Sequence, residues 1–585
     1  MILRGPLSSL VPGDSFGETV DCQYGLLNRW CCIRGRLRLS RWLSTWPKNP
    51  GVLTRSNVGW IWQKKLSDPR YLSGLDVDWR QVSDVLRSVD GRGGSLRIGL
   101  LNFNVTEIGE WRRTMPNAEL SVVQLDYADA SITWDVLYPE WIDEEEEDEV
   151  PTCPSLPQAR LKKGSRFDVV AVKLPCRRSK SWARDVARLH LQLSAAKLAV
   201  ASAGGASAVY VLLLTECFPI PNLFSCKSLV GREGNAWLYK PDVTALQAKL
   251  QLPVGSCELA VPLKPAGPRE AYATILHSVE VYACGAIAVA RSIRLAGSTR
   301  DLVVLADESI SGRHRSGLEA AGWKVRTIRR IRNPKAEKNA YNEWNYSKFR
   351  LWQLTDYDKI IFIDADLLVL RNIDLLFEMP EVSATGNNAT IFNSGVMVIE
   401  PCNCTFQLLM DHIDEITSYN GGDQGYLNEI FTWWHRVPRR MNFLKHFWEG
   451  DSNRVRAKKT ALFAAETPGL YVLHYLGQKP WMCFRDFDCN WNSLIHRSFA
   501  SDEAHATWWK VHDSMPESLQ SFCLLSTLNK AGLEYARREA EKANFPDRHW
   551  RRNVTDPRLH VCFEKFCRWE AMLRHWNEPH ASITG

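Results

Sequence analysis

The chain has 585 residues, of which 45% are hydrophobic and 24% charged, so it is long enough for two or three ordinary globular domains. Its 73 basic and 66 acidic residues leave a net charge of +7, a mild excess that does not support a nucleic-acid partner. Sixteen cysteines are too few for a small disulfide scaffold, and either buried thiols or lumenal disulfides would account for them.

The first 92 residues are irregular and rich in arginine, and the sequence predicts no function for them. Arginines interrupt every apolar piece there, so neither a signal peptide nor a membrane anchor is visible. The uncharged run at 198–215 is expected to form a helix end, a turn and a buried strand. The chain as given is therefore expected to be soluble.

Residues 93–262 are predicted to form an N-terminal α/β domain. Four apolar runs predict strands and one longer segment predicts a helix: strands 96–103, 120–127, 167–174 and 209–214, and helix 184–200. The acidic run at 143–149 is interpreted as a solvated loop, because like charges do not pack against one another.

Strands and helices alternate after a proline-rich hinge at 262–268, which predicts a mostly parallel sheet flanked by helices in residues 268–495. The predicted elements are strand 272–276, helix 281–294, strand 302–306, helix 317–321, strand 323–328, helix 347–354, strand 359–363 and strand 470–473. Residues 496–585 are charged, rich in tryptophan and predicted to form a helical C-terminal extension.

The apolar strand at 359–363 ends in two carboxylates, Asp364 and Asp366, which point to the same side of an extended chain. Parallel sheets bind ligands at this edge, and adjacent carboxylates repel each other unless a cation lies between them. The pair therefore predicts a divalent metal. An isolated Asp-x-Asp often only begins a turn, so the interpretation depends on segments further along.

Three later segments carry matching chemistry, at 393–398, 421–425 and 474–481. In the second, glycines permit close backbone approach, and Asp423 and Gln424 stand at a helix N-terminus whose N–H groups face a ligand. In the third, His474 can complete a site begun by two carboxylates, and Lys479 can meet a diphosphate. Taken singly, the histidine is equally a structural residue and the lysine a solvated one.

Together these segments resemble glycosyltransferase family 8, the glycogenin-like enzymes with a GT-A type, Rossmann-like α/β fold, over about residues 270–492. Segments 345–352 and 371–377 resemble the family before and after the metal strand. The resemblance implies a divalent metal, Mn²⁺, held by Asp364, Asp366 and His474. It also implies three catalytic and six donor-binding residues: Asp423, Gln424 and Lys348, then Leu276, Tyr282, Asn393, Ser394, Gly477 and Lys479.

Segment 474–491 and the α/β domain before residue 260 resemble the plant branch of this family that adds glucuronic acid to xylan. The resemblance implies transfer from UDP-glucuronic acid to a xylan acceptor, with retention of configuration, by a Golgi membrane protein. Retention needs either a carboxylate nucleophile, for which Asp423 is the candidate, or attack from the leaving-group side. Segment 447–470 has no tyrosine, so glucosylation of its own chain, as in glycogenin, is disfavoured.

Three alternatives stay open to different degrees: a UDP-glucose or UDP-galactose enzyme, a non-catalytic scaffold of a polysaccharide synthase, and a dehydrogenase. The dehydrogenase is disfavoured because no Gly-x-Gly-x-x-Gly follows the strand at 272–276. Aromatic candidates for a polymer groove are Trp433, Trp434, Phe447, Trp448 and Trp481. Cation candidates for the uronate carboxylate are Arg350, Lys348 and Lys445, and glycosylation sequons occur at Asn104, Asn388, Asn403 and Asn553.

Overall fold

The computed structural model describes residues 68–561, apart from short gaps at 91–94, 141–152, 161–164, 178–181, 204–207, 264–266, 268, 278–280, 388–389, 448–450 and 465–468. The acidic run at 143–149 lies outside the described residues, as do residues 1–67 and 91–92 of the arginine-rich N-terminal region. Residues 68–90 of that region contain the helix Trp79–Asp90, so the prediction that they are irregular is wrong. Within the described part of the chain, no helix is both long and apolar enough to cross a membrane.

The first half of the described chain contains a six-stranded sheet of order β2-β1-β3-β4-β6-β5. Its strands are β1 (Arg97–Leu101), β2 (Glu119–Val123), β3 (Val169–Lys173), β4 (Tyr210–Leu214), β5 (Leu229–Glu233) and β6 (Ala236–Tyr239). Its helices are α1 (Trp79–Asp90), α2 (Val105–Thr114), α3 (Trp134–Leu137), α4 (Val186–Ser202) and α5 (Val243–Lys249). The four predicted strands and the predicted helix are confirmed; the hairpin β5–β6 was not predicted.

The first four strands pair in parallel, β1 with β2, β1 with β3, and β3 with β4. Parallel strands are usually covered on both faces, which explains why the central strands of this sheet are almost entirely apolar. All five residues of β3 and of β4 are buried. Helix α4 is also buried on most of its surface, and Asp185 caps it by accepting a hydrogen bond from the Arg188 backbone N–H at 3.0 Å. The predicted α/β architecture of this region is therefore confirmed.

A second sheet, of order β13-β10-β7-β8-β9, forms the core of the predicted catalytic region. Its strands are β7 (Glu270–Leu276), β8 (Asp301–Asp307), β9 (Lys324–Ile328), β10 (Lys359–Ile363) and β13 (Val396–Ile399). Strands β7 to β10 are parallel and only β13 is antiparallel, to β10. Helices α6 (Tyr282–Leu295) and α7 (Gly312–Ala320) connect them as predicted, whereas segment 347–354 lies in a 3-10 helix, Asn345–Gln353, and not an α-helix.

Smaller elements complete this region beyond the carboxyl end of β10. A three-stranded sheet has the order β11-β16-β15 and a two-stranded one joins β12 to β14. These strands are β11 (Leu367–Val369), β12 (Ser383–Ala384), β14 (His435–Arg436), β15 (Phe443–Leu444) and β16 (Val472–His474). The remaining helices of the region are α8 (Asn403–Asp411), α9 (Asp423–Ile430) and α10 (Asn453–Ala464).

The C-terminal extension is helical as predicted, with α11 (Asp502–Asp513), α12 (Glu517–Gln520) and α13 (Thr527–Lys542). After these helices, the buried Arg558 guanidinium donates to the backbone carbonyls of Trp481 and Cys523 at 2.9 Å each, and to that of Cys483. Asp556 pairs with the same guanidinium at 2.7 Å. The extension therefore holds the loop after β16 in place. The predicted domain boundaries at 92, 262 and 495 stay predictions.

Five disulfides join described cysteines, with Cα–Cα distances of 5.1–6.1 Å. The pairs are Cys153–Cys257, Cys176–Cys217, Cys226–Cys404, Cys284–Cys523 and Cys483–Cys489. The fourth links α6 to the C-terminal extension across 239 residues. Among the described cysteines only Cys402 is a free thiol, while Cys562 and Cys567 lie outside the described residues.

Candidate active site

The carboxyl end of β10 brings two acidic side chains into the site. All five residues of β10 are buried between β7 and β13, and the Asp364 backbone N–H continues the pairing by donating to the Gly395 carbonyl at 2.9 Å. The chain then turns through Asp366 into β11. Both carboxylates therefore stand at the edge where parallel sheets bind ligands.

Strand pairing brings His474 to this pair from more than 100 residues further along the chain. In the register of β11 with β16, Leu367 lies opposite His474, and the Tyr475 N–H donates to the Asp366 carbonyl at 3.0 Å. His474 Nε2 then lies 3.6 Å from Asp366 Oδ1. One potential ligand atom from each of Asp364, Asp366 and His474 lies within 4.8 Å of the other two.

The histidine is prepared to act as a ligand, because a metal binds the neutral imidazole through a lone pair. Burial lowers the pKa of His474 to about 4, which keeps the ring neutral near pH 7. Its Nδ1 lies 3.1 Å from the Asn442 amide oxygen, which favours the tautomer that leaves the Nε2 lone pair facing Asp366. Asn442 is itself held by donating to Asn393 at 2.8 Å.

Two lysines balance the acidic pair only in part. Lys479 Nζ lies 2.7 Å from Asp366, and Lys348 Nζ lies 3.3 Å from Asp364 and 2.6 Å from Asp423. The cluster thus sets three carboxylates against two ammonium groups. A divalent cation bound by two carboxylates and an imidazole would reverse this negative excess, and the donor set suits Mn²⁺ among other divalent metals.

The electrostatics of the two aspartates differ. Burial raises the pKa of Asp364 to about 7, although the Lys348 ammonium beside it favours the ionised form. Burial would also raise the pKa of Asp366, but Lys479 and His474 lower it below its usual value. A bound cation would therefore lower the pKa of Asp364, so that this side chain would ionise at a lower pH, and it would stabilise both carboxylates.

Asp423 and Gln424 begin α9 and reach the cluster through side-chain contacts. Ser394 Oγ donates to Asp423 Oδ2 at 3.0 Å, on the same oxygen that Lys348 approaches. The Gln424 amide is held at both ends, since its oxygen accepts from the Ser394 N–H at 3.1 Å and its nitrogen donates to the Tyr419 hydroxyl. The structure thus joins the predicted reacting-sugar residues to the predicted metal pair.

The predicted donor side lies along α6 and the loop after β16. Gly285 lets α6 approach closely, because a Cβ there would lie 2.2 Å from the Ala365 carbonyl and 2.6 Å from the Trp481 ring. The Tyr282 ring lies edge-on to Trp481 with centroids 5.9 Å apart, and Leu276 ends β7 nearby. Gly477 has a φ of +70°, and a side chain there would meet Asn490, so this glycine sets the shape of the loop that presents Lys479.

Three site residues were not predicted. His277 follows β7, and burial lowers its pKa to about 4, with Asp423 and Lys348 also acting on it. Asp307 and Arg330 follow the next two strands and pair at 2.8 Å. Each of the three ends or follows a strand of the sheet, a signal that the sequence contained.

The aromatic groove residues suggested by the sequence are core residues. Trp433, Trp434, Phe447 and Trp481 are each at most 5% exposed, and Trp448 lies outside the described residues. Their packing explains the content of tryptophan without a sugar-binding role. An acceptor platform built on these four residues is therefore wrong.

Two protein families match the chain. The model described as "GUX1-5 N-terminal domain" matches residues 68–257, and the model described as "Glycosyl transferase family 8" matches residues 273–385. These matches, together with the mostly parallel sheet, show a glycosyltransferase with the predicted GT-A type α/β fold.

Proteins with similar sequences show to which group of glycosyltransferases the chain belongs. The chain is 62% identical to "UDP-glucuronate:xylan alpha-glucuronosyltransferase 1" of Arabidopsis thaliana over 90% of this chain and 81% of that protein. It is 50% identical to "UDP-glucuronate:xylan alpha-glucuronosyltransferase 2" of the same plant, over 80% and 81% respectively. To "Glycogenin-1" of Caenorhabditis elegans it is 34% identical, over 42% and 61%. The chain belongs to glycosyltransferase family 8, in the plant branch that includes these two Arabidopsis proteins.

Proposed function

We propose that this enzyme transfers glucuronic acid from UDP-glucuronic acid to xylan, and that its metal is Mn²⁺. The observation that carries the proposal is the cluster of Asp364, Asp366 and His474 in a chain 62% identical to a plant protein named for this reaction. The roles assigned below to individual residues are part of the proposal.

Departure of UDP places negative charge on the diphosphate. The metal, held by Asp364, Asp366 and His474, would supply Lewis-acid stabilisation of that charge. Lys479 adds a fixed cation at the same place, because its ammonium is bound to Asp366 at 2.7 Å and to the Tyr475 carbonyl at 2.6 Å. Because the Lys479 ammonium is already in position, it can stabilise the developing negative charge without any rearrangement of the site.

Positive charge develops at the same time on the sugar. Asp423 is held by Lys348 and Ser394, so its carboxylate can face that charge without being free to move. In a double displacement, Asp423 is the nucleophile; in attack from the leaving-group side, it is the electrostatic partner of the oxocarbenium-like sugar. Gln424, fixed by Ser394 and Tyr419, orients the sugar in both routes.

A uronate donor requires a partner for its carboxylate, since burial of an unpaired charge is costly. Of the three cations suggested by the sequence, Lys348 alone lies among the site residues. Lys445 is fully buried in a 2.7 Å pair with Asp488. Arg350 lies over the Phe406 ring and donates to Gln353 at 2.7 Å. The Lys348 ammonium already pairs with Asp364 and Asp423, so none of the three cations is assigned to the uronate carboxylate.

We propose that the enzyme works in the lumen of the Golgi apparatus. Disulfides persist in oxidising compartments, and five of them join described cysteines. The sequon asparagines Asn104, Asn403 and Asn553 are exposed, as N-glycosylation on entry into the secretory pathway requires, while Asn388 lies outside the described residues. Expression in plant cells, followed by N-glycosidase treatment and organelle fractionation, tests this location.

A donor competition tests the proposed function. Purified protein with Mn²⁺ and xylo-oligosaccharides is given equal UDP-glucuronic acid and UDP-glucose, and the charged and neutral products are separated. We expect the glucuronosylated product to dominate by at least roughly tenfold, which corresponds to about 1.4 kcal/mol of discrimination. Equal use of UDP-glucose would contradict the donor assignment and favour the glycogenin-type alternative.

A further inference from the structure

Three aromatic side chains are exposed among the described residues, Tyr341, Tyr419 and Tyr535. Tyr535 lies on α13 in the C-terminal extension. Tyr341 lies instead on loop 333–342, two of whose side chains donate to the Gly421 carbonyl, and Tyr419 lies just before the helix that begins with Asp423. These two rings are 81% and 53% exposed, so they present their faces to solvent beside the candidate active site.

Tyr419 is connected to the reacting residues by consecutive hydrogen bonds. The Gln424 amide nitrogen donates to the Tyr419 hydroxyl, and the amide oxygen accepts from the Ser394 N–H at 3.1 Å. Ser394 Oγ in turn donates to Asp423 at 3.0 Å. The hydroxyl of this exposed ring is therefore fixed by the residue next to the candidate nucleophile.

Tyr341 is fixed on the same surface, because its loop is tied to the loop of Tyr419. The side-chain amides of Asn333 and Asn342 both donate to the Gly421 carbonyl at 2.7 Å. Lys335 Nζ donates to the Ile416 carbonyl at 2.9 Å and to Thr417 Oγ1 at 2.8 Å. These four hydrogen bonds join loop 333–342, which carries Tyr341, to loop 416–421, which carries Tyr419, and the two joined loops are called the wall.

The backbone conformation at position 421 of the wall, where the two loops meet, favours glycine. Gly421 has a φ of +66°, and a Cβ there would lie 2.7 Å from the Asn342 side-chain nitrogen. Any other residue would strain the turn and separate the two loops. The arrangement of the two tyrosines therefore depends on tertiary contacts on both sides of Gly421.

We propose that Tyr341 and Tyr419 are stacking subsites for consecutive xylose units of the acceptor, an assignment that rests on the proposed function. Xylopyranose has no exocyclic hydroxymethyl group, so both ring faces offer C–H groups to an aromatic face. Metal and diphosphate chemistry occupies the Asp366 side of the cluster, and Lys348 with Asp423 separates that side from Gln424 and Tyr419. Tyr419 is thus an exposed ring whose hydroxyl contacts a residue proposed to orient the reacting sugar.

The test uses the full chain with Mn²⁺, UDP-glucuronic acid and xylohexaose. Tyr341→Ala and Tyr419→Ala are each expected to raise the KM for xylohexaose about three- to tenfold, and the double variant more, because an aromatic contact of this kind contributes about 0.5–1.5 kcal/mol. In Tyr341→Ala the KM for the donor is expected to stay within about twofold. Tyr419→Ala and Tyr419→Phe both release the Gln424 amide, so the contribution of the Tyr419 ring is the difference in xylohexaose KM between these two variants. Tyr419→Phe keeps the ring and should recover most of the acceptor affinity lost in Tyr419→Ala.

Tyr535→Ala is the matched control, since it removes an exposed tyrosine from α13 and should change neither KM. An unchanged xylohexaose KM in both alanine variants, with active wild-type enzyme, would overturn the subsites while leaving the function standing. A donor KM that rises as much as the acceptor KM in Tyr341→Ala would also overturn them. Wild-type protein that releases UDP but never modifies xylohexaose would overturn the proposed acceptor, and the subsites with it.

Discussion

The two parallel sheets of this enzyme differ at their carboxyl edges. In the N-terminal sheet, the polar groups that follow the strands bind one another. Asn102 donates to the carbonyls of Tyr71 and Lys173 at 2.9 and 2.8 Å, and the Lys173 ammonium pairs with Glu107. The Tyr71 hydroxyl meets His190 Nδ1 at 2.6 Å. The residues of this edge thus satisfy each other.

At the catalytic sheet the same edge carries charges that do not balance. Asp364, Asp366 and Asp423 face Lys348 and Lys479, and burial raises the pKa of Asp364 to about 7. Burying charges that do not balance lowers the stability of the folded protein unless a bound ligand compensates them. The comparison teaches that one architecture gives either a scaffold or a site, according to whether the polar groups at the strand ends satisfy one another.

The largest effect is expected from a variant at the carboxyl edge of the catalytic sheet, where the charges do not balance. Asp364→Asn keeps the shape of the side chain but removes a metal ligand, so we expect transfer to fall by at least roughly 10³-fold. Because the variant also removes a buried charge, the melting temperature should not fall. UDP release and a thermal melt measure the two effects. Activity within a few-fold of wild type would show that Asp364 holds no metal.

His474→Ala should have a smaller effect, confined to the metal. One neutral ligand is lost while both carboxylates remain, so we expect the apparent affinity for Mn²⁺ to fall about 10- to 100-fold. Saturating Mn²⁺ should restore much of the nucleotide binding. The measurement is a Mn²⁺ titration of UDP release for wild type and variant. Superimposable titrations would return His474 to a structural role.

Asn102→Ala tests the carboxyl edge of the N-terminal sheet. It should change the stability of the protein but not its activity. The variant loses two hydrogen bonds and puts alanine at a φ of +63°, so we expect the free energy of unfolding to fall by about 2 kcal/mol. Asn102→Gly is the matched control, because glycine loses the same bonds without the backbone strain. Chemical denaturation ranks the three proteins. A changed donor KM in either variant would break the comparison between the two edges.

The sequence predicted the four parallel strands of each sheet and the pair Asp364 and Asp366, because these signals are local, but it did not predict β5, β6 or β13. Residue type and family resemblance together predicted His474, but the register of β11 with β16 that brings it to Asp366 became visible only in the structure. Four of the five disulfide pairings were unpredictable for the same reason, since their partners lie 41 to 239 residues apart, whereas Cys483 and Cys489 are separated by only 6.

The aromatic residues were interpreted wrongly because residue type does not distinguish a buried ring from an exposed one. Trp433 and Trp434 are each 1% exposed, whereas the exposed Tyr341 and Tyr419 stand in polar loops without a motif. Their position depends on amide and lysine side chains that bind across 80 or so residues. The roles of the site residues themselves stay predictions until the variants are measured.

The contacts of Arg558 give the enzyme a defined order of assembly during synthesis. The guanidinium binds the Trp481 carbonyl, which lies 77 residues earlier in the chain. At a translation rate of about 5–20 residues per second, Arg558 is made roughly 4–15 s after the loop that carries Lys479. During that interval the nascent catalytic region is present but its donor loop lacks these hydrogen bonds. The loop that carries Lys479 therefore gains these hydrogen bonds only after residue 558 has been made.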